Sequence, residues 1–149
     1  MGRGRAAILA CEQARQIDVL NRSERNARVL VDSLSSETPA KVAAGGLDLW
    51  DSIAPRADLV INATSAGMSG SASPDVALDV LPAGAAVCDL VYNPLETPLL
   101  ARARTLGLTT IDGLGMLMFQ AMPTFEAFFG IRPQVTPALR AELEKVLKQ

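Results

Sequence analysis

The stretch that most constrains the fold is Asp58-Leu59-Val60-Ile61, which runs directly into Asn62-Ala63-Thr64-Ser65-Ala66-Gly67-Met68. A short apolar run of this kind reads as a buried parallel strand. Where such a strand ends in small hydroxyl residues and a glycine, an open α/β sheet builds a ligand crevice along its carboxyl edge. The rest of the chain must then supply neighbouring strands and the helices that cover them.

It does so in alternation. Residues 17–20 and 86–91 read as further strands, 38–43 as a weak strand and 109–111 as a short one. A first helix is expected over about 5–14. A second follows an N-cap at Ser23 and turns Ala27, Leu30, Val31 and Leu34 inward. Residues 47–53 form a helical or turn region that Pro55 helps to end, and 76–81 one helical turn. A further helix runs from Thr97 or Pro98 to about Leu106, where Gly107 stops it. Strands alternating with helices argue for a Rossmann-like, doubly wound parallel α/β sheet. Two helices close the chain. One spans 113–129, apolar almost all round and interrupted by Pro123; the other spans 136–148, capped by Thr136-Pro137, with Leu139, Leu143, Val146 and Leu147 as its inward stripe. At 149 residues, one domain is expected over the whole chain.

Composition removes several chemistries. The chain has no histidine, so an imidazole-based triad is excluded, and with two cysteines (Cys11 and Cys88) the usual Cys/His metal sites are nearly excluded. Two distant thiols suit a reducing compartment, and cytoplasmic localisation is expected. A formal net charge of -2 gives no general attraction to nucleic acid or acidic membranes. The segment 1–11 superficially resembles a signal peptide, but its apolar stretch is about five residues against the roughly 7–15 required. No run reaches the ~18–20 apolar residues of a membrane helix.

The remaining chemistry gathers at strand ends. Gly2-Arg3-Gly4 before a helix fits either a phosphate-binding turn or an unstructured start. Asn21-Arg22-Ser23 lies at the end of the next strand, where a nicotinamide-binding fold places its ribose-reading residue, about 20 residues beyond the glycines. Arg22 and Arg25 offer positive charge, and Ser23 and the backbone offer donors. That set suits a 2′-phosphate, hence NADP rather than NAD; an exposed basic helix start is the alternative. Thr64, Ser65 and Gly67 fit the ribose and diphosphate of a cofactor, or an ordinary strand-to-loop turn. Tyr92, the only tyrosine, either bonds a substrate carboxylate or hydroxyl or caps the sheet. Gln120 shares a helix face with Gly113, Met116 and Leu117, and its amide requires a ligand or a backbone partner.

Taken together, four motifs resemble the shikimate dehydrogenase family in its C-terminal, cofactor-binding half. They are Asn21-Arg22-Ser23, Asn62 to Met68, Asp89-Leu90-Val91-Tyr92 with Pro94, Thr97-Pro98 and Leu99, and Asp112-Gly113-Leu114-Gly115-Met116-Leu117 with Gln120. The resemblance covers nearly the whole chain in order. It implies that Asn21, Arg22 and Ser23 hold the adenosine 2′-phosphate of NADP. It implies that the motif from Asn62 lines the cofactor, that Leu90 and Gly113 offer backbone contacts at the nicotinamide end, and that Met116 packs near that ring. Tyr92 and Gln120 would reach a shikimate-like substrate. The implied reaction is reversible NADPH-dependent reduction of 3-dehydroshikimate, a step of aromatic amino acid biosynthesis. Quinate oxidation and a non-catalytic NADP(H)- or partner-binding module are the alternatives.

The departures from the family pattern carry expectations of their own. Asn26 stands where the family has a basic residue, with Arg25 or Arg28 as substitutes. Arg5 matches the arginine of the family's glycine loop, so Met1 falls inside that loop, and the family's first strand and N-terminal substrate domain, with its proton-transfer lysine and aspartate, are expected to be missing from this chain. The lysines Lys41, Lys145 and Lys148 do not read as replacements, and no catalytic residue is assigned to this chain. The sheet is then incomplete, and the strands around Val19 and Val60 expose edges. Self-association, or complementation by a chain carrying the N-terminal domain, is expected.

Overall fold

The computed structural model describes residues 13–34, 37–68 and 71–147. Gly2, Gly4, Arg5, Cys11 and Lys148, and nearly all of the expected first helix, lie outside these residues. Every described strand pair is parallel, as the α/β reading requires, and the strands fall in two sheets within two compact units.

The first unit comprises residues up to Asp58 together with Asp75–Ala85. Strand β1 (Gln16–Asn21), helix α1 (Glu24–Asp32) and strand β2 (Lys41–Gly46) form a βαβ motif, with Gln16 opposite Lys41 and Asn21 opposite Gly46. Ala27 and Leu34 are buried as the periodicity demands, and Leu30 and Val31 are half-buried. β2 starts three residues later than the sequence suggests. Pro39 has no N–H to give a ladder, and the Thr38 hydroxyl accepts the Ala40 N–H at 3.3 Å, turning the chain locally. Beyond β2 come a 3-10 turn (Leu47–Leu49), the short α2 (Trp50–Ile53) and another 3-10 turn (Ala54–Arg56). Pro55 opens that last turn rather than ending the region. The Trp50 indole N–H donates to the Ala77 carbonyl at 2.7 Å and ties down the returning segment. Residues 76–81 are not a helical turn: the segment is irregular, closed by a hydrogen bond from the Leu81 N–H to the Leu78 carbonyl at 3.2 Å. Leu78 and Leu81 point inward, and Pro82 disfavours helical geometry at the residue before it.

The second unit comprises Leu59–Pro74 and the chain from Ala86 onward. Its sheet has the order β3 (Leu59–Asn62), β4 (Ala86–Asp89), β5 (Thr109–Ile111), with Leu59 opposite Ala86 and Asn62 opposite Asp89. Helix α3 (Pro98–Thr105) begins at Thr97, whose hydroxyl accepts the Leu100 N–H at 3.3 Å. Val87, Val91, Leu99, Leu100, Ala103 and Leu114 form the core. Helix α4 (Leu114–Phe129) continues past Pro123, whose ring lies on the exposed side, and α5 (Pro137–Leu147) follows.

Two expectations about burial fail. β3 is not buried throughout: Leu59 is 43% exposed and only Asn62 is buried. Among the described residues β3 pairs with β4 alone, and a parallel strand is buried only when both its faces are covered. The inward stripe of the last helix is only half realised. No residue of α5 is fully buried: Leu143 and Leu147 are half-buried, whereas Leu139 and Val146 are exposed. No described helix is long and apolar enough to cross a membrane.

Candidate functional site

In the first unit the feature is the junction of β1 and α1. Asn21 ends the strand, and its side-chain oxygen accepts the Ser23 N–H at 3.0 Å, which turns the chain into the helix. Ser23 sits at the N-cap with extended geometry, but its hydroxyl makes no capping bond. The first-turn N–H groups preceding Asn26 therefore have no intrahelical acceptor. Arg28 is held by Glu24 at 2.5 Å, one turn away, whereas Arg22 and Arg25 are exposed and make no ion pair among the described residues. The result is a short arc of backbone donors, one hydroxyl and two guanidinium groups at the positive end of a helix.

In the second unit the feature is a buried polar network joining the ends of β3 and β4. Asp89 is 0% exposed. One of its oxygens accepts the Asn62 amide at 2.9 Å and the Val91 N–H at 3.0 Å; the other accepts the Thr97 hydroxyl at 2.7 Å. Capture of the Val91 N–H ends β4 at Asp89, two residues short of the expected strand. Asn62 also donates to the Ala66 carbonyl at 3.2 Å and accepts from the Thr64 N–H at 3.1 Å and the Thr64 hydroxyl at 2.7 Å. The Thr64 hydroxyl accepts the Ala66 N–H at 3.1 Å. Hydrogen bonds to a charged group contribute about 1.5–3 kcal/mol each, so this network fixes the 62–68 loop firmly. Gly67 completes the loop at φ +94°, a conformation other residues resist, and its N–H donates to the Ser71 hydroxyl at 3.0 Å. Thr64, Ser65 and Gly67 are thus brought together as the sequence suggests, but Thr64 is committed to the loop's own bonds.

Gly113 lies at the turn between β5 and α4. A Cβ there would stand 2.6 Å from the Leu90 carbonyl oxygen and 3.0 Å from that of Asp89. Glycine is required because the start of α4 rests directly on the backbone leaving β4. The Leu114 N–H is capped by the Asp112 carboxylate at 3.0 Å. Met116 and Tyr92 are half-buried, and Gln120 is exposed on a shallow apolar surface with Leu117, Phe125, Phe128 and Phe129. Solvent satisfies its amide, so burial does not force a partner on it.

Sequence reasoning assigned no role to three groups. Asp89 and Thr97 hold the network, and the signal for Asp89 was available: a carboxylate within an apolar strand must be paired. Arg140 gave no local signal. Its guanidinium meets Asp112 at 2.5 Å and 3.3 Å and Glu144 at 2.8 Å. The hydrogen bond that Arg140 donates to Asp112 holds the Arg140 pKa above its ordinary value against partial desolvation, with the charges of Asp112 and Glu144 adding to it. A cavity of about 210 Å³ beside this pair is lined by Glu96, Arg104, Thr110 and Glu144, among others. Arg104 there is itself engaged by Glu96.

No family model matches the chain. A shikimate dehydrogenase (NADP(+)) from Rhodospirillum rubrum is 45% identical over 150 residues, covering 95% of this chain and 52% of that protein. Among solved structures, quinate dehydrogenase from Corynebacterium glutamicum in complex with NAD superposes with a TM-score of 0.81 at 26% identity, covering 97% of this chain and 51% of that one. Shikimate 5-dehydrogenase from Thermus thermophilus in complex with NADP(H) and shikimate gives a TM-score of 0.64 at 27% identity, covering 88% and 44%. The chain spans about half the length of the curated relatives it matches, and the match is to their C-terminal portion. Almost the whole of this chain is thus similar, in sequence and in fold, to about half of a shikimate dehydrogenase.

Proposed function

We propose that this chain is the NADP-binding portion of an enzyme that reversibly reduces 3-dehydroshikimate to shikimate with NADPH, one NADP-binding domain over 1–149 with the helices at 113–129 and 136–148 included. The observation that carries the reading is the β1–α1 junction. Ser23 leaves its helix uncapped while Arg22 and Arg25 stand exposed beside it, a donor set suited to a phosphate monoester; Asn21 stands at the strand end where a carboxylate would read a free 2′-hydroxyl, and the Glu24 carboxylate of the first turn is engaged by Arg28. Asn21, Arg22, Ser23 and Arg25 would hold the 2′-phosphate. Arg25, not Arg28, would take the place of the basic residue absent at Asn26, since Arg28 is engaged by Glu24.

In the second unit, Asn62, Thr64, Ser65 and Gly67 would line the ribose and diphosphate, and the backbone at Leu90 and Gly113, with Met116, would take the nicotinamide end. Tyr92 and Gln120 would contact substrate. Gly2, Gly4 and Arg5 belong to the same proposal as its diphosphate turn. NADPH, when bound, supplies the hydride; the chain's residues hold and aim it. On this reading the proton is supplied from outside this chain: among the described residues Lys41 is exposed, and Lys145 is exposed and paired with Glu142, so neither is desolvated as proton transfer requires. The isolated chain is therefore inactive by itself, and saturable dehydrogenase turnover by it would overturn that part. Cytoplasmic localisation belongs to the same proposal, since two cysteines far apart in the chain suit a reducing compartment.

Calorimetric titration of the full chain tests the reading. NADPH should bind about tenfold more tightly than NADH; heat from neither, or equal affinity for both, sinks it. A second reading, quinate in place of shikimate, is favoured by the likeness to the Corynebacterium glutamicum quinate dehydrogenase. Paired kinetics on a complete enzyme carrying this chain would separate the two.

A further inference from the structure

We propose that Arg140 is a positioning residue: from the last helix it holds Asp112, and through Asp112 it sets the start of α4 against the Leu90 carbonyl, where the nicotinamide end of the cofactor would lie. The inference rests on the functional reading above but names a residue outside every motif that carries it.

Three observations support it. The first is that the two oxygens of Asp112 do different work. One accepts the Leu114 N–H at 3.0 Å and an Arg140 N–H at 3.3 Å; the other takes the second Arg140 N–H at 2.5 Å. The carboxylate is thus both the cap of α4 and the target of a two-point guanidinium contact, a geometry that fixes orientation as well as distance. The second is that α4 has almost no tolerance at this point, because Gly113 already rests on the Leu90 backbone with no room for a methyl group. A small rotation of the Asp112 side chain is transmitted directly to that contact. The third is that α5 has no fully buried residue of its own, Leu143 and Leu147 being half-buried. Its half-buried Arg140, buttressed by Glu144 at 2.8 Å, adds a polar anchor beside them. The neighbouring Arg104–Glu96 pair lines the same cavity but makes no hydrogen bond or ion pair with Asp112 or α4 among the described residues, and so provides a control within one locality.

The test uses the full chain and two ligands. The fragment 2′,5′-ADP engages only the phosphate end, whereas NADPH also engages the nicotinamide end and reports its surroundings through its fluorescence. Arg140→Met should leave 2′,5′-ADP binding unchanged, weaken NADPH about fivefold and abolish its fluorescence enhancement. It should also speed amide exchange at Leu114 in the absence of ligand. Arg140→Lys, which keeps the charge but not the two-point contact, should restore only part of the signal. Asp112→Asn keeps an acceptor for the Leu114 N–H yet weakens the guanidinium contact; it should reproduce Arg140→Met, and combining the two should add nothing further. Should Arg140→Met fail to fold, Asp112→Asn and Arg140→Lys carry the same comparison. Arg104→Met should behave as the wild type.

If the wild type binds both ligands and Arg140→Met matches it in fluorescence and in Leu114 exchange, the positioning role is overturned and the functional reading stands. Equal weakening of 2′,5′-ADP and NADPH overturns it too, since that marks general destabilisation. A wild type that takes up neither ligand overturns the functional reading and this proposal together.

Discussion

Gly113 and Leu90 touch backbone to backbone: a methyl group on Gly113 would lie 2.6 Å from the Leu90 carbonyl oxygen. The start of α4 and the exit of β4 are thereby built as one rigid corner, and the motifs on either side of it occupy a single locality within the second unit.

Gly113→Ala should therefore destabilise the chain by roughly 1–3 kcal/mol, because the opposing atoms are backbone and cannot rotate away. Gly115→Ala, one position further into the helix, meets nothing within 4 Å and should be neutral or stabilising by up to about 1 kcal/mol. Urea denaturation of the two variants checks the contrast. Equal effects would refute the close-approach argument.

Asp89→Asn should cost about 1–3 kcal/mol. The substitution leaves an amide where the Thr97 hydroxyl now finds an acceptor, inside a fully buried site. Faster hydrogen exchange at the Thr64 and Ala66 amides should accompany the loss, since Asn62 holds both Asp89 and that loop. An exchange pattern unchanged in the loop would show that the network does not order it.

Arg22→Ala should weaken NADPH by about tenfold or more and leave NADH nearly unaffected, as the loss of one charge-assisted contact to a phosphate predicts. Arg28→Ala, which removes a residue engaged by Glu24, should change both affinities little. Calorimetry on the full chain separates the two outcomes.

The contribution of Arg140 should not depend on pH near neutrality. Its pKa is raised in the folded chain by its hydrogen bond to Asp112, and a group so raised contributes fully below its unfolded pKa and loses the contribution only as pH climbs through the folded one. For a guanidinium both lie far above neutral. The stability difference between wild type and Arg140→Met should be flat between about pH 6 and pH 9. A slope in this window would assign the effect to another titrating group.

All four phenylalanines lie on α4, and all are exposed, Phe119 at 61% and Phe128 at 80%. Phe125, Phe128 and Phe129 share one shallow apolar surface with Leu117, of the kind that associates in water. The chain should self-associate as concentration rises in sedimentation velocity. Phe128→Ser should reduce this while altering stability by no more than about 0.5 kcal/mol. A constant monomer over the whole range would contradict the expectation.

The parallel α/β character, nearly every element and the positions of the site motifs were legible in the chain itself. Apolar runs bounded by Gly, Pro and hydroxyl residues are local signals, and β1, β3, β4, β5, α1, α3 and α4 follow them within a few residues. Boundaries shifted where a side chain captured the backbone, as Thr38 does before β2 and Asp89 does at the end of β4. Burial was less legible. The amphipathic stripe of α5 suggests an inward face, yet Leu143 and Leu147 are only half-buried and Leu139 and Val146 are exposed, because periodicity states which face is apolar and not how fully anything covers it.

What the sequence determined by itself was the order of strands and helices, the basic turn at Asn21-Arg22-Ser23 and the absence of imidazole chemistry, all of which depend on residue type and near-neighbour spacing. What only the tertiary structure decided was which polar groups meet: Asn62 with Asp89, Arg140 with Asp112, Gly113 with Leu90. Each pair joins segments more than 20 residues apart in the chain, and such meetings are fixed by how strands register and helices seat, which no local pattern encodes.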